Sequence, residues 1–205
     1  MNRRAIALAG ASILALSLTA CGQQTDERVE APSGAATASA IAPPASQAAA
    51  LSPFVTVDCV SGQVMPVDAP PSGTTIGPVT AIFQPNGAPA ITVATDAQPA
   101  TELGVADITE GTGQAVAAGD SLTVDYCGVG LGGRTLFDSS YSRGEPATFP
   151  LDGVIAGWQQ GLVGMKVGGQ RLLVIPSDLG YGDQGNQGIA PGETLIFVVQ
   201  LQSIG

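Results

Sequence analysis

Only one stretch in the second half of the chain has helical spacing, and it is short. In LDGVIAGWQQGL, Leu151–Leu162, the apolar residues Ile155, Trp158 and Leu162 fall at i, i+3 and i+7. That spacing turns one helix face toward a core. The sequence around it reads as strand. DSLTVDYCGVG (120–130) alternates Leu122, Val124 and Tyr126, and QRLLVIP (170–176) is a further β-run. TLIFVVQLQSI (194–204) alternates Leu195, Phe197, Val199 and Leu201. Period two is what one buried face of a sheet requires. GTG, LGGR and DQGNQGIAPG separate these runs as turns or loops. One helix against several antiparallel strands predicts an α+β domain with the helix covering one sheet face. The helix carries Trp158, the only tryptophan, among Gly153, Gly157 and Gly161. A helical glycine costs ~1 kcal/mol against alanine, so Gly157 and Gly161 suggest close packing of helix on sheet.

The N-terminal part has a different character. Arg3 and Arg4 precede an uncharged run, Ala5–Ala20, too short for a spanning helix, which needs about 20 apolar residues. This reads as a signal peptide over 1–20. The run ends in LTAC, which resembles a bacterial lipobox and implies lipidation of Cys21. The alternative is a soluble secreted protein cut by another peptidase. Residues 21–53 are rich in Ala, Ser, Pro, Gln and Thr without periodic large apolar residues, the composition of a disordered linker. Export leaves Cys59 and Cys127 as an even pair in an oxidising compartment, where a disulfide is expected. Two separate buried thiols are the alternative. Between residues 54 and 101, FVTVDCV, VTAIF and AITVAT are strand-like, with a PNG turn signal between the last two. This segment reads as a β-rich extension of unclear fold or as a decayed copy of the domain at 102–205.

Much chemistry is excluded. The 205 residues include no histidine, so Ser-His-Asp and Cys-His pairs are absent. No GxxxxGK[ST] loop is present for phosphates. Seventeen acids against seven bases leave no basic footprint for nucleic acid. No CxxC occurs, which argues against structural zinc. No metal and no cofactor is expected. What remains is a set of aromatic and aliphatic residues at loop–strand junctions.

Those residues carry a resemblance. VDYCG, LFDSS, FPLDGVIAGWQQGLVGMKVGGQRLLVIP, GYG, GIAP and TLIFVVQL occur in the order and spacing of the FKBP-type peptidyl-prolyl cis-trans isomerases. The match spans about 102–205 and, with the N-terminus, resembles bacterial lipoprotein members of the family. It implies an antiparallel half-barrel sheet wrapped around the short helix, with a proline pocket between them. Trp158 matches the pocket floor. Tyr126, Phe137, Val154, Ile155 and Phe197 match its walls, with Phe149 beside them, and Asp138 and Tyr181 match polar groups at the rim. The Tyr181 hydroxyl and the Ile155 N–H are implied donors to a substrate carbonyl. Ile189 matches a residue on the flanking loop. Ala147, Leu179 and Asn186 depart from the family pattern at the outer lip, which bears on substrate preference and macrolide affinity.

The resemblance therefore implies a peptidyl-prolyl isomerase that assists extracytoplasmic folding. Its partners are proline-containing polypeptides, with macrolides as candidate ligands. The chain is expected as a monomer on the outer face of a bacterial membrane, held by lipid alone. Two other readings stay open. One is a non-catalytic module of the same fold that holds Pro-containing segments. The other is a chaperone working mainly through 54–101.

Overall fold

Three strands of this protein are apolar on both sides, and the architecture follows from covering both. The computed structural model describes residues 52–205. The signal peptide, Cys21 and all but the last two linker residues therefore lie outside the described residues. The first five strands are β1 (Phe54–Asp58), β2 (Val64–Val67), β3 (Thr74–Ile76), β4 (Val79–Phe83) and β5 (Pro89–Ala94). They form one antiparallel sheet in the order β2-β1-β5-β4-β3. The PNG segment closes the β4–β5 hairpin, with Gly87 at φ 82°, a left-handed conformation that glycine adopts without steric cost.

The second sheet holds β6 (Gly104–Thr109), β7 (Ser121–Gly130), β8 (Leu136–Ser139), β9 (Ala147–Pro150), β10 (Gln170–Ile175) and β11 (Leu195–Ile204). Its order is β6-β10-β11-β7-β8, and β9 pairs with the first part of β7. Helix α1 is a single turn, Ser140–Arg143, and α2 spans Ala156–Gly161. The sequence predicts one helix. The second arises from capping, because the Ser139 side chain accepts from the Ser142 N–H and Gly144 closes the turn at φ 76°.

Leu122, Val124, Tyr126, Leu173, Ile175, Leu195, Phe197, Val199 and Leu201 share one core with Trp158 and Leu162 of the α2 region. The residues between them, Cys127, Val129, Leu172, Val174, Ile196 and Val198, share a second core with Val57, Val79, Ala81, Ile91 and Val93 of the first sheet. The layers are thus sheet, sheet, helix. This explains the unbroken apolar runs LLVI and LIFVV, which are typical of strands covered on both faces. Residues 54–101 hold five strands and no helix. Their sheet covers the back of the second sheet and shares its core, unlike a second copy of the α+β layer pair.

Two devices fasten the layers. Cys59 and Cys127 are disulfide-bonded, with Cα atoms 5.7 Å apart across a sequence separation of 68, and both are fully buried. Closing a loop of that length is worth about 4 kcal/mol in the chain-entropy model. On the front, Arg171 pairs with Asp107 of β6 at 2.7 Å and donates from Nη1 to the Gly161 carbonyl at 2.8 Å. It therefore ties β6 and β10 to the C-terminal turn of α2, where a cation also complements the helix dipole. Helix and sheet approach closely: a side chain at Gly157 would collide with Ile175, and one at Gly161 would place Cβ 2.8 Å from Leu173.

The back-face core makes a direct prediction. Ile196 is 0% exposed, and Ile196→Ala is expected to cost about 2–5 kcal/mol, read as a lower urea midpoint at unchanged m-value. An unchanged midpoint would mean that the first sheet does not cover this face.

Candidate active site

Trp158 sits in the first turns of α2, where the helix meets the front of the second sheet. Its ring is boxed edge-to-face by three aromatics, with centroids at 5.6 Å to Tyr126, 5.9 Å to Phe149 and 5.2 Å to Phe197. Phe137 continues the series, 5.5 Å from Phe197. Perpendicular pairs of this kind set the positive edge of one ring against the negative face of another. The indole Nε1–H is buried without a hydrogen-bond partner among the described residues, so its aromatic neighbours hold the ring. Trp158 is 5% exposed, and that exposed part floors an open cavity of ≈ 510 Å³.

The sequence-predicted residues meet here. Tyr126, Phe137, Asp138, Phe149, Val154, Ile155, Trp158, Tyr181, Ile189 and Phe197 all line this one cavity. Each element contributes for a local reason. Tyr126 and Phe197 lie on the front-facing register of β7 and β11. Phe137 and Asp138 come from β8. Val154 and Ile155 occupy the bend between a 3-10 turn (Leu151–Gly153) and α2. Ile155 is extended at φ −58°, ψ 149°, and its N–H makes no hydrogen bond among the described residues. Ile189 is held inward by a two-bond turn, Asn186 N–H to Ile189 carbonyl at 3.0 Å and Ile189 N–H to Asn186 carbonyl at 2.8 Å. Cys59 and Cys127 lie on the other side of the second sheet, away from the cavity, in the back-face core.

Among the lining residues only Asp138 is charged, and its charge is met at once. The Tyr126 hydroxyl donates to Asp138 Oδ2, and Arg143 Nη1 donates to Oδ1. Arg143 Nη2 reaches the Tyr126 oxygen at 2.9 Å, and the guanidinium lies 5.5 Å from the Tyr126 ring centroid. Burial, aided by the bond to Asp138, pushes the Tyr126 phenol up to about 12, with Arg143 opposing. The bond to Tyr126, then that to Asp138, raises Arg143 above its ordinary value. Arg143 is not among the site residues expected from the sequence, and neither are the lining residues Gly153 and Gln187. The signal for Arg143 was present: a capping Ser139 and a closing Gly144 bracket one helical turn and fix the direction of its last side chain. No group of three or more His, Cys, Asp or Glu able to hold a metal ion occurs among the described residues.

The chain is similar to known proteins. The family model of the FKBP-type peptidyl-prolyl cis-trans isomerases matches residues 112–202. An FK506-binding protein of Streptomyces anulatus is 49% identical over 111 residues, covering 52% of this chain and 90% of that one. FkpA, an FKBP-type isomerase of Escherichia coli, is 48% identical over 94 residues, covering 46% of this chain and 34% of that one. The crystal structure of the same FkpA aligns at a TM-score of 0.48 with 45% identity, over 51% of this chain and 48% of that one. The chain belongs to the FKBP-type peptidyl-prolyl cis-trans isomerase family and is an isomerase of peptidyl-prolyl bonds. Strands β1–β6 precede the matched residues.

The raised phenol gives a signed prediction. Tyr126 binds its proton more tightly folded (about 12) than unfolded (about 10). Its contribution is therefore complete below pH 10 and is lost as pH rises toward 12. Tyr126→Phe is expected to flatten the fall in stability over that window, measured by urea unfolding at stepped pH. Tyr141, also raised by burial, leaves a residual slope. Identical slopes in both proteins would contradict the Tyr126 environment described.

Proposed function

We propose that the chain is a lipid-anchored, extracytoplasmic folding catalyst that turns X-Pro bonds in the cavity over Trp158. What supports this reading is the cavity itself: an indole floor fixed by three rings, apolar walls, and the unpartnered Ile155 N–H together with the Tyr181 hydroxyl in its lining. The reaction needs nothing else. Turning an X-Pro bond meets a barrier of ~18–20 kcal/mol and takes tens of seconds uncatalysed. No bond forms or breaks, so no nucleophile or proton carrier is required.

In the twisted transition state amide resonance is lost. The carbonyl becomes less polar and the nitrogen pyramidal. Surroundings that are poor in water disfavour the polar planar form relative to the twisted one. Each ~1.4 kcal/mol of that difference is tenfold in rate. The prolyl ring rests on Trp158 between Tyr126, Phe149 and Phe197, while the Ile155 N–H and Tyr181 hydroxyl orient the substrate carbonyls. Asp138, with its charge already met by Tyr126 and Arg143, shapes the rim.

The anchoring part rests on the leader-like residues 1–20 and Cys21. No described helix is long and apolar enough to cross a membrane.

Protease-coupled isomerisation of an X-Pro tetrapeptide tests the catalytic reading on the full chain. Trp158→Ala is expected to lose most of the rate, and Asp138→Ala less. A wild-type rate equal to the uncatalysed one would favour a holding module over an enzyme. For the anchor, Cys21→Ser is expected to move the protein from the membrane to the soluble fraction of the cell envelope. Retention at the membrane would remove the lipid.

A further inference from the structure

We infer that the N-terminal sheet braces the rim of the active site, and that Ser139 is the positioning residue through which it acts. This inference rests on the cavity over Trp158 being the catalytic site. Three contacts converge where β1 ends. The Cys59 sulfur is bonded to Cys127 of β7. Cys127 stands directly opposite Ser139 in the β7–β8 register. The Ser139 hydroxyl, in a residue 1% exposed, donates to the Cys59 carbonyl at 2.7 Å. The same oxygen accepts from the Ser142 N–H at 3.3 Å and so caps α1.

Helix α1 matters because of what it carries. Its last residue is Arg143, which holds both Asp138 and the Tyr126 hydroxyl. The next residue after the cap secures the turn from the other side: Ser140 Oγ accepts from the Tyr126 N–H at 2.9 Å and donates to Asp125 at 2.9 Å. A one-turn helix has no stability of its own. Its position is set by the groups at its two ends, and the capping Ser139 hydroxyl is itself held by the carbonyl of Cys59, the residue that follows β1. A chain of direct contacts thus runs from Cys59 through Ser139 and α1 to Arg143, and from there to the Tyr126 and Asp138 side chains in the cavity wall. The first sheet reaches this junction from behind β8, where a side chain at Gly62 of the β1–β2 loop would place Cβ 3.5 Å from Leu136.

The geometry assigns the extension two tasks: covering the back face and fixing the turn that orders the rim. The second task is separable from the first, since Ser139→Ala removes a hydroxyl and leaves the apolar interface intact. Loss of one such hydrogen bond is expected to lower kcat/KM about fivefold through KM, with kcat little changed.

The test uses the full chain and two readouts, X-Pro tetrapeptide kinetics and alkaline titration of the phenols by ultraviolet difference absorbance. Ser139→Ala is expected to raise KM and to move the Tyr126 titration back toward pH 10. In an Arg143→Ala background, Ser139→Ala is expected to add nothing to the loss. A Ser139→Ala chain that is merely less stable, with unchanged KM and unchanged Tyr126 titration, overturns the brace. So does full additivity with Arg143→Ala. Should Ser139→Ala fail to fold, amide exchange in the Cys59→Ala, Cys127→Ala double variant decides. Faster exchange at Ser142 and Gly144 than in wild type supports the brace, and equal exchange overturns it. If wild type shows no isomerase activity, the catalytic reading fails, while the titration and exchange arms still report on the coupling itself.

Discussion

The central constraint is a sheet with no solvent-facing side over much of β7, β10 and β11. A strand buried on both faces needs two partners. Here the front partner is a six-residue helix with its flanking turns, and the back partner is a second sheet. The front could not be sealed by so short a helix alone, and it is not: the space left over beside α2 is the cavity, floored by Trp158. The back is sealed over the stretch that holds Cys127, Val129, Leu172, Ile196 and Val198, all at 0% exposure. One sheet thus serves as rigid wall for the site and as core for the extension. Any disturbance of its back face is felt one side-chain layer from Tyr126 and Phe197.

The parts of this arrangement legible in the sequence were those with strong periodicity. FVTVD, VTAIF, PAITVA and the long runs of β7, β10 and β11 announce themselves by β-branched content and turn boundaries, and α2 by its spacing. The strands that escaped are short and weakly buried. β2, VMPV, has three exposed residues, and β3 and β8 lack a fully buried alternate pair. The alternation of Leu195, Phe197, Val199 and Leu201 marks one buried face of β11, yet Ile196 and Val198 between them are as apolar as Leu195 and Phe197. That doubled pattern was the available sign of a second covering layer. The aromatic side chains of the candidate cavity and Arg143 beside it differ in how legible they are. The aromatic members sit where strand register and the α2 entry bend place them, whereas Arg143 depends on a one-turn helix made by capping alone. The sequence around it has no period to read.

Electrostatically the site is self-contained. Its one lining charge is matched by Arg143 at the surface, and the partly exposed pair adds little to stability. Its effect is geometric, since the pair and the Tyr126 hydroxyl lock three side chains from β7, β8 and α1 into one rim. Under the mechanism proposed for the cavity, such neutrality favours turnover. A net charge in the cavity would favour the polar planar amide and water with it, working against the twisted form.

Catalysis as proposed requires prolyl segments to bind in the cavity over Trp158. Because the chain has a single tryptophan, its indole N–H gives one unambiguous nitrogen–proton resonance. Titration of the isotope-labelled protein with a short Ala-Leu-Pro-Phe peptide is the most direct measurement. The largest shifts are expected at the Trp158 indole and at the amides of Ile155 and Tyr181, together with cis–trans exchange cross-peaks on the peptide. An unmoved indole, with shifts gathered on β1–β5 instead, would contradict it.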